Sequence, residues 1–320
     1  MSDRPKEYPA VVALGGGHGL SVTLRSLASI SNQVTGLVGT VDDGGSSGRL
    51  RQHLRIPPPG DLRMAVAALM PDDEQGTQWR AVLQHRFDGE VDVGGHALGN
   101  LVLAALWEET GDVIAGLTIL SEAMRTRGRV FPNCLMATDL ITQVRTADGS
   151  VEVRGQAAIS QTRGFIEQMR LEPSDPAACA PAVRAIEGAD LIVFGPGSWY
   201  TSVLPHLLVP SIRQAIEESS AHRVVIVNLM GEAGETEGYP AHEYLSAWAR
   251  LFPDVGIDTV LADRDHVDDL EQLRRESQRL GARVRICRVS GGLAHDPDLL
   301  ADALSDVIGG PDGLRERGQG

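Results

Sequence analysis

The sequence predicts an α/β protein with a doubly wound, mainly parallel sheet. Three observations carry that prediction. Short apolar runs of strand length alternate with amphipathic runs of helix length along most of the 320 residues. The first apolar run, 10–14, empties into Gly15-Gly16-Gly17-His18-Gly19-Leu20, and a helical pattern starts directly after it. Strand, glycine turn, helix and second strand follow within about thirty residues, the length of one βαβ unit with parallel strands.

Taken in order, residues 1–9 are polar and expected to be loose. Strand 10–14 leads through the glycines to a helix at about 21–29, then a strand at about 34–41 ends in Asp42-Asp43-Gly44-Gly45-Ser46-Ser47-Gly48-Arg49. Pro57, Pro58 and Pro59 bar a helix at that point, and Asp61 suits the cap of one running to Met70. From 77 to 124 the period is helical, interrupted by Gly94-Gly95-His96-Ala97-Leu98-Gly99-Asn100, so about 62–128 reads as an inserted helical subdomain. The period then switches. Residues 135–146 and 151–153 flank an Asp-Gly turn signal, and 166–171 extends the pair, which makes about 130–171 a β-hairpin insertion.

The α/β rhythm resumes with helix 177–186 and the apolar strand 191–194, followed by Gly195-Pro196-Gly197-Ser198-Trp199-Tyr200-Thr201-Ser202. Helix 212–218, strand 224–228, loop 229–239 and helix 241–251 come next. Strand 259–261, helix 267–280, strand 284–289 and helix 299–308 complete the pattern, and the tail 309–320 is expected to be loose. With no internal repeat and no linker, 10–308 reads as a single domain with insertions.

Composition narrows the function. A formal charge of −14 without a basic stripe argues against a nucleic-acid cover. Lys6 is the one lysine among 29 basic residues, which removes Schiff-base chemistry and a P-loop lysine from the folded body and leaves arginine for cationic contacts. Cys134, Cys179 and Cys287 are odd in number and widely spaced, so neither zinc nor a disulfide framework is expected. Without a signal-peptide pattern or a membrane-length apolar run, the expected location is the cytoplasm, with no membrane insertion.

In a doubly wound sheet, ligands bind outside the carboxyl ends of the strands. Four glycine-rich or polar loops follow predicted strands there, at 15–20, 42–48, 195–202 and 228–239. Gly15, Gly16, Gly17 and Gly19 let the backbone approach a phosphate, which the free amides of the next helix favour. His18 stands where a Walker loop would need lysine, and Leu20 breaks the dinucleotide fingerprint.

Asp42 and Asp43 fit a ribose-binding acid, a Mg²⁺ site shared with Asp61, or a plain turn. Ser46 and Ser47 form a candidate phosphate nest. Gly195, Gly197, Ser198 and Thr201 form a compact hydroxyl-rich loop beside which Trp199 and Tyr200 either stack on a base or pack inward. His96 and Asn100 are placed to close the site, and Asn228 to read a base or sugar edge. Glu235, Thr236 and Glu237 follow in the same loop, and His295-Asp296 reads as a helix cap. No catalytic triad or zinc helix is evident, so the site reads as built to bind.

Together, Gly15-Gly16-Gly17-His18-Gly19-Leu20, Thr40-Val41-Asp42-Asp43-Gly44-Gly45-Ser46-Ser47-Gly48, Pro58-Pro59-Gly60-Asp61-Leu62-Arg63, Gly95-His96-Ala97-Leu98-Gly99-Asn100-Leu101, the 195–202 loop and Gly234-Glu235-Thr236-Glu237-Gly238-Tyr239 resemble the bacterial gluconeogenesis-factor (YvcK-type) family, related to the phospholactate transferase CofD. The resemblance runs in order over about 10–308. It implies a Rossmann-like fold that binds UDP-N-acetylglucosamine and related UDP-sugars and requires no other cofactor. It also implies a regulator of cell shape and cell-wall precursor supply during gluconeogenic growth, acting on a protein partner and not as an established enzyme. Homo-oligomer formation is left open. The alternative is a CofD-like transferase of a 2-phospho-L-lactate group onto a deazaflavin acceptor, with Mg²⁺ on Asp42, Asp43 and Asp61. The chain departs from the family pattern at Gly231-Glu232-Ala233 and at Ala294.

Overall fold

A computed structural model describes residues 8–89 and 92–310. In chain order the elements are β1 (Ala10–Gly15), α1 (Gly17–Ile30), β2 (Gln33–Val38), α2 (Gly45–Leu54), α3 (Pro59–Ala68), α4 (Glu74–Gln84), α5 (Leu98–Thr110), α6 (Val113–Ala123) and β3 (Gly128–Pro132). Next come β4 (Asp139–Thr146), β5 (Gly149–Arg154), α7 (Gln156–Ile159), β6 (Phe165–Glu172), α8 (Ala180–Glu187), β7 (Leu191–Phe194), α9 (Pro210–Glu218) and β8 (His222–Ile226). The last are α10 (Ala241–Leu251), β9 (Thr259–Asp263), α11 (Leu270–Arg279), β10 (Arg283–Cys287) and α12 (Pro297–Gly309).

Seven parallel strands form one sheet in the order β10-β9-β8-β7-β1-β2-β3. Helices cover both faces, and side chains of successive strand residues point to opposite faces. Val12 and Leu14 therefore pack with Ile192, Phe194 and the α9 and α10 side, whereas Val11 and Ala13 pack with α1, α3 and α12. This is the doubly wound α/β fold that the periodicity predicts. The small antiparallel sheet, ordered β5-β4-β6, buries Leu140, Val144, Ile166 and Leu171 in the first of those cores.

Several local expectations change. Residues 128–132, left out of the main sheet by the sequence reading, form its seventh strand, paired with β2 from Val34 to Val38. The run is short, ends in Pro132 and lies at the edge, where proline is tolerated and alternation is weak. Helix α1 begins at Gly17, inside the glycine cluster: Gly15 ends β1, Gly16 is the N-cap, and Gly17 and Gly19 lie in the first turn. Ser46, Ser47 and Gly48 lie in the first turn of α2 and not in an open nest: the Gly48 amide donates to Gly44 at 2.8 Å. Of the termini expected to be loose, 1–7 and 311–320 lie outside the described residues, while Gly309 ends α12.

Trp199 and Tyr200 are fully buried. Trp199 packs edge-on to Tyr244 at 5.4 Å and beside Trp248 at 6.0 Å, which settles the choice between base stacking and core packing in favour of packing.

Candidate functional site

The strand order runs outward from β1 through β2 on one side and through β7 on the other, which makes the β1/β7 junction a topological switch point. The loops leaving these two strands are locked together. A Cβ on Gly19 would overlap the Pro196 carbonyl oxygen, so only glycine lets α1 start this close to the 195–197 turn. Thr23 of α1 donates its hydroxyl to the Gly195 carbonyl at 3.0 Å. His206, buried beneath, hydrogen-bonds the Gly15 carbonyl through Nε2 at 3.2 Å, and burial lowers its pKa to about 4. Asn228, two residues past the end of β8, binds both the amide and the carbonyl of Gly197, each at 2.9 Å.

These loops border a cleft of about 280 Å³ that includes His18, Gly19, Pro196, Gly197, Asn228, Glu232 and His295 in its lining. Among the described residues no Arg or Lys lines it. At the start of α1 the His18 and Gly19 amides precede the first intrahelical bond, Leu20 to Gly16, so neither has an intrahelical acceptor. Met230 and the strongly exposed Leu293 form the apolar rim. The 289–295 loop is held by Asp263, which accepts from the amides of Val289 and Ser290 at 2.8 Å each. Burial works to raise the Asp263 pKa, but these bonds and one from His266 hold the carboxyl below its ordinary range. Burial pushes His295 down to about 4, against a bond to the Val227 carbonyl.

The 229–239 loop reaches back to the 198–201 turn. Ser198 donates to Glu232, Thr201 donates to Glu235 at 2.5 Å, and the Tyr200 amide donates to Glu235 at 3.2 Å. Burial raises Glu235 to about 7, its hydrogen bonds opposing. Thr201, expected from the sequence to contact a ligand, is 2% exposed, turned to Glu235 and not among the residues that line the cleft.

An acidic flank lies on the other side of the α1 start. Asp61, from the first turn of α3, accepts from the Gly17 amide and so caps α1 across the chain. A Cβ on Gly16 would collide with Asp61. Burial and then the Asp42 charge raise the Asp61 carboxyl to about 7. Asp42 is raised by burial too, and it bonds Gly44 and Ser47. Asp43 turns away to accept from the Ala157 amide at 2.9 Å. Ser47 accepts from the Gly60 amide at 3.0 Å.

Ser46 meets His96 Nδ1 and the Asn100 amide, each at 2.9 Å, leaving Asn100 Oδ1 buried without a hydrogen-bond partner among the described residues. Burial, then Arg49 and Arg86, lowers the His96 pKa.

The sequence-derived site therefore divides in space. Gly15, Gly16, Gly17, His18, Gly19, Gly195, Gly197, Ser198 and Asn228 converge on the switch point, Asp42 and Asp61 form its acidic flank, and Ser46 and Asn100 join His96 at the edge of α5. Asp43 stands apart, and among the described residues no group of three or more His, Cys, Asp or Glu is arranged to hold a metal ion. Sequence reasoning missed His206. Its one signal is a lone histidine in the apolar run Leu204-Pro205-His206-Leu207-Leu208, since a buried imidazole needs a hydrogen-bond partner.

With this geometry, comparison with known proteins is informative. A family model described as 2-phospho-L-lactate transferase CofD matches residues 11–287. A Mycobacterium tuberculosis protein is 43% identical over 306 residues, covering 93% of this chain and 90% of that one. The gluconeogenesis factor of Bacillus subtilis is 38% identical over 277 residues, covering 87% and 85% of the two chains. A crystal structure of a UPF0052-family protein from Bacillus halodurans superposes with a TM-score of 0.83 at 35% identity, over 92% of this chain and 98% of that one. The chain belongs to the gluconeogenesis-factor family, within the wider group defined by CofD.

Proposed function

We propose that this protein binds a UDP-sugar, UDP-N-acetylglucosamine first among them, in the cleft at the β1/β7 switch point. In this reading it is a regulatory factor for cell shape and cell-wall precursor supply during gluconeogenic growth. It acts in the cytoplasm through a protein partner and needs no other cofactor. The observation that carries the reading is the pairing of the α1 start with the Asn228-held Gly197 in one cleft that, among the described residues, no Arg or Lys lines. A diphosphate there is met by helix amides, which combine free donors with the positive end of a macrodipole.

Calorimetry of the purified protein against UDP-N-acetylglucosamine, NAD and a deazaflavin precursor, each with and without Mg²⁺, tests this. Heat from the UDP-sugar alone supports it; silence there sinks it.

A second reading, CofD-like transfer of a phospholactate group onto a deazaflavin acceptor, is favoured by the Asp42–Asp61 flank. Two carboxyl groups raised by burial, Asp61 further by the Asp42 charge, suit a hard divalent cation. In that reading Asp42 and Asp61 would hold Mg²⁺, which would neutralise phosphoryl charge, and Asp43, committed to Ala157, would not join them. Absence of product from several phospholactate donors with Mg²⁺ sets this reading aside.

A further inference from the structure

The lining of the cleft that the start of α1 borders also carries a carboxylate whose backbone is fixed. The Glu232 amide donates to Thr236 Oγ1 at 2.9 Å, and its carbonyl accepts from the Thr236 amide at 3.0 Å. Preceding it, Gly231 packs so closely that a Cβ would overlap the Thr236 carbonyl. Only rotation of its own side chain can take the Glu232 carboxylate out of the cleft. Ser198 directs it, donating its hydroxyl to Oε2, while Oε1 has no hydrogen-bond partner among the described residues.

The lining therefore combines groups of opposite polarity. On one side the His18 and Gly19 amides offer donors. Elsewhere in the same lining, Glu232 offers only acceptors, and Ser198 has already committed its proton. Among the described residues no Arg or Lys lines the cleft to offset the Glu232 charge. A phosphate oxygen against Glu232 meets like charge in a half-buried setting, whereas a hydroxyl there gains a charge-assisted hydrogen bond.

Resting on the UDP-sugar reading above, we infer that Glu232, oriented by Ser198, is the specificity-determining acceptor that takes a hydroxyl of the ligand's sugar, while the diphosphate lies at the start of α1. The protein thereby selects a nucleoside diphosphate carrying a polyhydroxyl group over the bare nucleotide. In bare UDP the terminal phosphate carries an additional negative charge and no sugar hydroxyl, so both halves of the discrimination act in one direction.

The test is calorimetry of UDP-N-acetylglucosamine and of UDP against the wild-type protein, Glu232→Gln and Glu232→Ala, with and without Mg²⁺. Thermal melts confirm that each variant folds. A charge-assisted hydrogen bond corresponds to roughly 10-fold or more in affinity. The wild type is expected to prefer the sugar nucleotide, and both variants to lose about 10-fold of that preference, through weaker UDP-N-acetylglucosamine and unchanged or tighter UDP.

A preference that stays within about two-fold of wild type in both variants overturns the Glu232 assignment and leaves the UDP-sugar reading standing. A preference that moves only with Mg²⁺ overturns it in favour of a bridging cation. Wild-type protein that binds neither nucleotide removes the UDP-sugar reading and this inference together.

Discussion

Asn228 grips Gly197 from both sides, its Oδ1 accepting from the Gly197 amide and its Nδ2 donating to the Gly197 carbonyl, both at 2.9 Å. The two loops that meet at the switch point are thus joined by one side chain. The sequence reading gave Asn228 to the ligand's edge; in the structure it lines the cleft while one bond from each of its polar atoms holds the loop.

Replacing Asn228 by Asp keeps the acceptor but sets an oxygen against the Gly197 carbonyl. Asn228→Asp is expected to cost roughly 1–3 kcal/mol in urea unfolding, the price of an unmet buried polar group. It should also weaken any UDP-sugar heat. An unfolding midpoint equal to wild type would show that the clamp carries no stability.

Gly19 and Gly17 differ in what surrounds them. A Cβ on Gly19 meets the Pro196 carbonyl, whereas Gly17, with φ of +56°, has open space around it. Gly19→Ala is expected to lose roughly 1–3 kcal/mol and all stabilisation by UDP-N-acetylglucosamine. Gly17→Ala bears only the left-handed backbone cost of about 1 kcal/mol. Thermal melts with and without ligand rank the two, and the reverse order would refute the close approach of α1 to the 195–197 turn.

Asp61 sets a pH dependence. Its carboxyl titrates near 3.8 when unfolded and about 7 when folded, so between those values the folded state binds more protons. Its contribution to stability is complete below about pH 4 and is lost as pH rises through 7. Asp61→Asn removes the charge and keeps an acceptor for the Gly17 amide. The variant is expected to be more stable than wild type at pH 8, by roughly 1–3 kcal/mol, with the gap closing toward pH 4. Melts across that range that run parallel would contradict the buried acidic flank.

His206 acts with the opposite sign. Its folded pKa of about 4 lies below the ordinary 6.5, so the unfolded state binds more protons between them. The stability it supplies is complete above pH 6.5 and is lost as pH falls toward 4. His206→Gln retains a donor for the Gly15 carbonyl without titrating. Acidification from pH 7 to 4.5 is expected to cost the wild type roughly 2 kcal/mol more than the variant. Equal acid sensitivity in chemical denaturation would place the acid lability elsewhere.

The sequence by itself determined what is local. Runs such as 191–194, buried on both faces, announce a parallel strand, and glycine stereochemistry announces the turn after β1, because side-chain period and φ preference are properties of neighbouring residues. The parallel α/β class and the family followed from those runs and motifs. Even locally the limits show at β3, where five residues ending in proline joined the sheet through pairing with β2 and not through their own pattern.

Only the tertiary structure decided which polar groups meet. Asp61 caps α1, Asn228 holds Gly197, Ser198 turns to Glu232 and Asp43 to Ala157. Each pair joins segments separated by tens of residues or more, and each is chosen by how helices and loops pack around the sheet. A buried polar atom takes the partner that packing brings within about 3 Å, and spacing along the chain does not encode that distance.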